Sequence, residues 1–242
     1  ENNPFLGWRS IRFSLERQDL FRIQLRALLK ASIFGKMRLL FPMITTLEQV
    51  YEIKRILELV RQELLDEGLK LVNKIPIGFM IEVPAAVEIA DALAKEADFL
   101  SIGTNDLIQY GLAVDRTNPN VAHMFDQYHP AILKMIHKTV KAAHKEDVRV
   151  TICGETAAHP GMAALFVGLG VDGFSLTPHL IPKLKTLVRG LNTEETEKLA
   201  KKVLRQRESA KIKALLDNFI ENQGFDEFLR AIPEIEDLTH PF

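Results

Sequence analysis

Five short apolar runs punctuate the chain, at residues 37–41, 75–83, 99–103, 148–153 and 173–176. Between them lie longer stretches in which apolar residues recur every three or four positions. The runs lack regular polar alternation, so they read as strands buried on both faces. The stretches behind them read as amphipathic helices. After the first run, Val50, Ile53, Leu57, Val60 and Leu64 line one helical face; Thr45 and Thr46 before Glu48 and Gln49 give a start signal, and Gly68 a stop. Pro84 opens a helix running to Leu93, and Pro130 opens one with Ile132, Leu133, Ile136 and Val140 on its face. A further helix follows Pro160. Upstream, residues 15–29 are helical in spacing with Ser14 as the expected N-cap, and downstream residues 180–187, 193–207 and 209–222 read as helix.

Strand followed by helix, five times over, predicts a parallel α/β sheet. No internal repeat or low-complexity tract interrupts it. The expected division is a barrel-type domain over 1–222 and a C-terminal tail over 223–242, where the pattern becomes mixed.

Composition narrows the function classes. Lys and Arg number 31 against 32 acids, a net charge of −1, which provides no electrostatic footprint for nucleic acid or an anionic membrane surface. The apolar runs fall well short of a bilayer span, and the N-terminus has no signal-peptide architecture. A lone cysteine, Cys153, rules out an internal disulfide framework and fits a reducing compartment, so a cytoplasmic location is expected. The chain starts at Glu1 with no initiator Met, which reads as the interior of a longer protein.

In parallel α/β folds the chemistry gathers at the carboxyl ends of the strands. Here those ends carry Glu82, then Thr104-Asn105-Asp106, then Cys153-Gly154-Glu155, whereas the strand interiors carry few ionisable groups. The third run is read as a strand entering a turn that exposes the Asp106 carboxylate, with Arg116 about ten residues on. Glu82 in an apolar strand is costly unless it meets a cation: either a Lys or Arg across the sheet, or an Mg²⁺ shared with Asp106. Spacing leaves both open. Arg9 and Arg116 are candidate anion clamps, because a guanidinium fork pairs bidentately with carboxylate or phosphate, though most arginines are merely solvated. Arg38, at a strand's start, reads as structural. Cys153 is either a small buried hydrophobe or a proton donor facing the Asp106 cleft. The seven histidines show no zinc pattern and receive no catalytic role.

Taken together, Asn3-Pro4-Phe5-Leu6-Gly7-Trp8-Arg9, Gly78-Phe79-Met80-Ile81-Glu82-Val83-Pro84, Gly103-Thr104-Asn105-Asp106-Leu107 through Val114-Asp115-Arg116, and Cys153-Gly154-Glu155 resemble the phosphoenolpyruvate-binding domain of the enzyme I family of the bacterial sugar phosphotransferase system. The likeness runs in order from about residue 3 to about residue 222. Pyruvate phosphate dikinase and phosphoenolpyruvate synthase are similar in the same places, and the first segment favours enzyme I.

The resemblance implies a (βα)8 barrel of TIM type, about five of its eight βα units being present here with extra C-terminal helices. It implies Glu82 and Asp106 as Mg²⁺ ligands, Arg9, Asn105 and Arg116 on the phosphoryl and carboxylate groups of phosphoenolpyruvate, and Met80 lining the pocket. It makes Cys153 the acid that protonates the departing pyruvate. The phosphoryl group would pass to a histidine on a separate N-terminal domain and on to a small histidine phosphocarrier protein, within a homodimer.

Two departures stand out: Ile108 replaces a common Thr, expected to remove a hydroxyl beside the metal, and Thr156-Ala157-Ala158-His159 replaces Met-Ala-Gly-Asp. The missing strands and two further arginines would lie upstream, so these 242 residues are expected not to complete a turnover alone. Two competing readings are an Mg²⁺-dependent carbon–carbon lyase, which needs no thiol at Cys153, and a module that senses phosphoenolpyruvate without transferring it.

Overall fold

The structure, a computed structural model, describes residues 1–225. Helices α1 (Ser10–Glu16) and α2 (Gln18–Ala31) precede strand β1 (Leu39–Phe41), which feeds α3 (Leu47–Asp66). Strand β2 (Ile77–Ile81) is followed by α4 (Pro84–Glu88) and α5 (Ala90–Lys95), and β3 (Phe99–Gly103) by α6 (Thr104–Leu112) and α7 (Pro130–His144). Strand β4 (Arg149–Cys153) leads to α8 (Pro160–Gly168), and β5 (Gly173–Ser175) to α9 (Ile181–Gly190), α10 (Thr193–Val203) and α11 (Ser209–Asn222). All strand pairings are parallel and the sheet order is β1-β2-β3-β4-β5. A sheet built strictly in chain order has no switch point; it is a run of barrel staves rather than a doubly wound sheet. Among the described residues the run is five staves long, so the barrel is incomplete, with β1 and β5 as its edges.

Local signals set most of the boundaries. Gln49 N–H donates to Thr46 Oγ1 at 3.4 Å while Thr46 N–H donates to Gln49 Oε1 at 3.3 Å, the reciprocal cap expected for α3. Its other end closes at Gly68 (φ 84°), where Leu69 N–H bonds to Leu64 O at 3.0 Å and Gly68 N–H to Leu65 O at 2.9 Å. The buried face is Val50, Ile53, Ile56, Val60 and Leu64; Leu57 is only partly covered, because the stripe drifts by a residue over five turns.

Other boundaries differ from expectation. Ser14 does not cap a helix: it lies inside α1, and its hydroxyl bonds back to Ser10 O at 3.1 Å. The expected 15–29 helix breaks at Arg17, where the backbone leaves the helical region (φ −100°, ψ 63°). The helix after Pro84 breaks at Ile89 in the same way. Asp106 does not sit in an exposed turn, since α6 starts directly at Thr104 and carries Asp106, 8% exposed, in its first turn.

The core lies chiefly on one face of the sheet, where strand register puts Phe79, Ile81, Leu100, Ile102, Val150 and Ile152, all fully buried, on the same side. Helix α8 is apolar all round because the sheet covers one side and α10 and α11 cover the other. The C-terminal helices are thus an extra layer on the barrel. The remainder of the expected tail, from residue 226 on, lies outside the described residues.

The α8–α10 contact depends on Gly168, where a Cβ would lie 2.0 Å from Thr196 O. Backbone cannot yield as a side chain does, so Gly168→Ala should cost about 2–3 kcal/mol in urea unfolding. Gly35→Ala, with open space around it, should change stability by less than about 1 kcal/mol. Equal effects at the two positions would show that the helix approach is not what limits Gly168.

Candidate active site at the carboxyl ends of the strands

A cleft of about 440 Å³ opens over the carboxyl ends of β2 to β5. It is lined by Met80, Glu82, Asn105, Asp106, Arg116 and Cys153, with Gly154 and Glu155 beside them and Ser175, Leu176, Thr177 and Leu180 on the far wall. Strand register brings these together: Ile81 pairs with Ile102 and Gly103 with Cys153, so the residues just past each strand end share one level.

Glu82 is 4% exposed. One oxygen, Oε1, accepts the Met43 N–H at 2.7 Å, and Met43 holds a left-handed conformation (φ 59°) to present it. The end of β1 therefore contributes a backbone donor, although its side chains carry no chemistry. Burial pushes the Glu82 carboxyl up to about 7; the Met43 hydrogen bond opposes this, the charge of Asp106 adds to it, and Arg9 and Arg116 pull the other way. Gly103 makes room, since a Cβ there would lie 2.8 Å from Glu82 Oε2.

Asp106 receives both arginines. Arg9 Nη2 is 3.4 Å from Oδ2 and Arg116 Nη2 is 3.5 Å from Oδ1. Oδ1 is buried and accepts no hydrogen bond. A buried carboxylate oxygen left open beside a second buried carboxyl is an acceptor pair suited to a hard cation, and no cluster of three or more His, Cys, Asp or Glu able to hold a metal occurs among the described residues. Two carboxylates with the remaining positions left to water and ligand oxygens is the coordination habit of Mg²⁺.

The β3 and β4 ends are clipped together. Thr104 Oγ1 donates to Cys153 O at 3.2 Å, and Asn105 Nδ2 donates to Glu155 Oε2 at 2.5 Å. Gly154 between them has φ 133°, and a Cβ there would lie 2.3 Å from Thr104 Oγ1. The clip holds Cys153, which is partly exposed, on the cleft wall.

All seven residues singled out from the sequence thus converge: six line the cleft and Arg9 reaches it through Asp106. Ile108 does not take part. It is fully buried in the core, so the Thr it replaces in the resemblance would not have placed a hydroxyl in the cleft. Arg38 lies at the opposite end of the sheet, 5.5 Å over the Phe99 ring. None of the six described histidines lines the cleft.

Sequence reasoning missed three supporting side chains. Tyr110 Oη accepts from Arg9 Nη1 at 3.3 Å and donates to Phe5 O at 2.5 Å; the Phe5 ring lies 5.4 Å from the Arg9 guanidinium and 5.8 Å from that of Arg116. Gln109 Oε1 accepts the Arg116 N–H at 3.2 Å. The available signal was helical spacing, because Asp106, Gln109 and Tyr110 stand at i, i+3 and i+4 of α6.

A parallel barrel-type sheet with paired acids, paired arginines and a thiol at its carboxyl rim defines an α/β enzyme domain. The sequence profile of the PEP-utilising enzymes, PEP-binding domain, matches residues 1–193, and the chain belongs to that family. It is 42% identical over 220 residues to a phosphoenolpyruvate-protein phosphotransferase of Haemophilus influenzae, covering 91% of this chain and 38% of that protein. The namesake of Priestia megaterium is 46% identical over 197 residues, covering 81% and 34%. That of Staphylococcus carnosus is 40% identical over 222 residues, covering 92% and 39%. The chain therefore spans well under half the length of these relatives. Among solved structures, a citrate lyase of Burkholderia xenovorans superposes with a TM-score of 0.53 at 16% identity, over 91% of this chain and 73% of that one, a likeness of fold alone.

Burial of Glu82 has a consequence for stability. Because folding raises its pKa from 4.5 to about 7, the folded chain holds the proton more tightly than the unfolded one. The stabilisation is complete below pH 4.5 and is lost as pH rises through 7, a change of about 3 kcal/mol. Urea unfolding of the parent and Glu82→Gln across this range should diverge by that amount, the variant being flatter. Parallel profiles would mean that Glu82 is not desolvated.

Proposed function

We propose that the chain is the substrate-binding part of a phosphoenolpyruvate-dependent phosphotransferase, which passes the phosphoryl group of phosphoenolpyruvate to a protein histidine and releases pyruvate. The observation that carries the reading is the meeting of Glu82, Asp106, Arg9, Arg116 and Cys153 around one cleft. Membership of the PEP-binding family supports it.

In this reading Glu82 and Asp106 hold an Mg²⁺. When bound, the ion supplies positive charge that offsets the phosphoryl and enol oxygens. Arg9 and Arg116 leave Asp106 for the substrate, taking its phosphoryl and carboxylate oxygens in charge-assisted hydrogen bonds. Asn105 has one amide N–H committed to Glu155 and a second to offer the phosphoryl group. Met80 packs on the enol carbons. The bond between phosphorus and the bridging oxygen breaks, its electron pair staying on oxygen, while phosphorus bonds to an imidazole nitrogen of the acceptor. The resulting enolate takes a proton at its methylene carbon from Cys153 Sγ, giving pyruvate, and the thiolate recovers a proton from water. The guanidiniums stabilise the charge that moves from the phosphoryl group to the enolate oxygen.

The acceptor imidazole is brought to the cleft by a separate domain, from which a small histidine phosphocarrier protein takes the phosphoryl group onward into sugar uptake. Pairing of two copies and a cytoplasmic setting, where the Cys153 thiol stays reduced, belong to the same reading.

Calorimetry of phosphoenolpyruvate binding to the chain should show affinity that requires Mg²⁺, weakened at least about tenfold by Glu82→Gln or Asp106→Asn. The Mg²⁺-dependent part should also fade below about pH 7, where Glu82 holds its proton. Binding indifferent to Mg²⁺ and to both substitutions would remove the proposed site. Cys153→Ala should keep affinity within about twofold while losing Mg²⁺-dependent exchange of pyruvate methyl protons with deuterated water, since only the acid has gone. Exchange at the parental rate would refute the role given to the thiol.

A further inference from the structure

Two guanidiniums converge on the single carboxylate of Asp106, with Arg9 at 3.4 Å and Arg116 at 3.5 Å. Held that near one another they repel, and one carboxylate cannot neutralise both. Something else must keep two long side chains from swinging into solvent.

The Phe5 ring meets this need. It lies within 6 Å of both guanidinium carbons, at 5.4 and 5.8 Å, and the negative face of an aromatic ring attracts cations without taking up their hydrogen-bond donors. The N–H groups stay available for an anion. Phe5 is held in turn by Tyr110, whose hydroxyl donates to Phe5 O and accepts from Arg9 Nη1, so one atom fixes both the ring's backbone and one of the guanidiniums. Gln109, one residue back on α6, fixes the backbone of Arg116. Helix α6 thereby sets the spacing of both cations from Asp106 in its own first turn.

We propose that Phe5 and Tyr110 are positioning residues that hold the Arg9 and Arg116 guanidiniums side by side, ready for a multiply charged anion. This deepens the phosphoenolpyruvate reading of the cleft and rests on it for the identity of that anion. Neither side chain touches the ligand; their effect is to remove the rotamer freedom of two arginines before the ligand arrives.

Two measurements on the whole chain test it. In nitrogen-resolved NMR, the Arg9 and Arg116 Nε–H signals, assigned with Arg9→Lys and Arg116→Lys, should carry a ring-current shift that Phe5→Leu abolishes and Tyr110→Phe reduces. Calorimetry with saturating Mg²⁺ should show phosphoenolpyruvate affinity lowered about tenfold by Phe5→Leu and by Tyr110→Phe, and returned to within about twofold of the parent by Phe5→Trp. Affinity for Mg²⁺ alone should not fall in either variant, because looser guanidiniums compete less for Asp106. General loosening of the fold would instead weaken both ligands together and would not be rescued by Trp; that pattern overturns the proposal. So do arginine signals unmoved by Phe5→Leu, or equal phosphoenolpyruvate affinity in parent and variants. If the arginine signals respond but the parent binds no phosphoenolpyruvate, the positioning pair stands and the identity of the anion falls.

Discussion

Glu82 is held out of water at the end of a strand whose neighbours leave it no lysine or arginine of its own. A carboxyl in such a place survives by keeping its proton, by accepting hydrogen bonds, or by meeting a cation. The structure uses the first two: burial lifts its titration to about 7, and the Met43 N–H satisfies one oxygen. The nearby Asp106 takes the opposite solution, with two guanidiniums around it and one oxygen accepting nothing. Much of the rest follows from holding these two acids at one level. Parallel register aligns the strand ends, Gly103 and Gly154 clear the space between them, and the Thr104–Cys153 clip keeps the third strand end at the same height.

The cleft is thus charged on both signs before any ligand is present. Its acids and bases compensate one another imperfectly, at distances longer than good hydrogen bonds, which leaves both sets of groups open to better partners. An anion that draws the arginines away from Asp106 frees that carboxylate for a cation, and a cation on the carboxylates frees the arginines in return. Such reciprocity is a coupling free energy between two sites that share a side chain. The segment around Phe5 is the part of this arrangement farthest in sequence from the strands it serves, and it docks by a hydroxyl and a ring rather than through the sheet.

Much of the architecture was legible from pattern. The strand at Phe99–Gly103 and the helices at Ser209–Asn222 and from Pro130 lie where periodicity and punctuation put them, because buried parallel strands are apolar without interruption and prolines mark helix starts. Breaks at Arg17 and Ile89 were not legible, since neither position carries the Gly or Pro that marks a helix end. Seven candidate side chains were legible because they are chemically out of place in apolar surroundings or sit in specific motifs. Phe5, Gln109 and Tyr110 were not, because a phenylalanine, a glutamine or a tyrosine on a helix or loop has an ordinary structural use in most contexts.

By itself, the order of residues determined that this chain would alternate strand and helix and would carry acid, amide and thiol at strand ends. It did so because these are local properties: burial pattern, caps, and the cost of a charge in an apolar run. Tertiary structure alone decided that Glu82 would hold its proton to about pH 7, that Asp106 would be buried in a helix's first turn rather than exposed, and that one aromatic ring would serve two arginines. Those outcomes depend on desolvation and on distances between residues more than a hundred positions apart, and neither is a property of any stretch of sequence read alone.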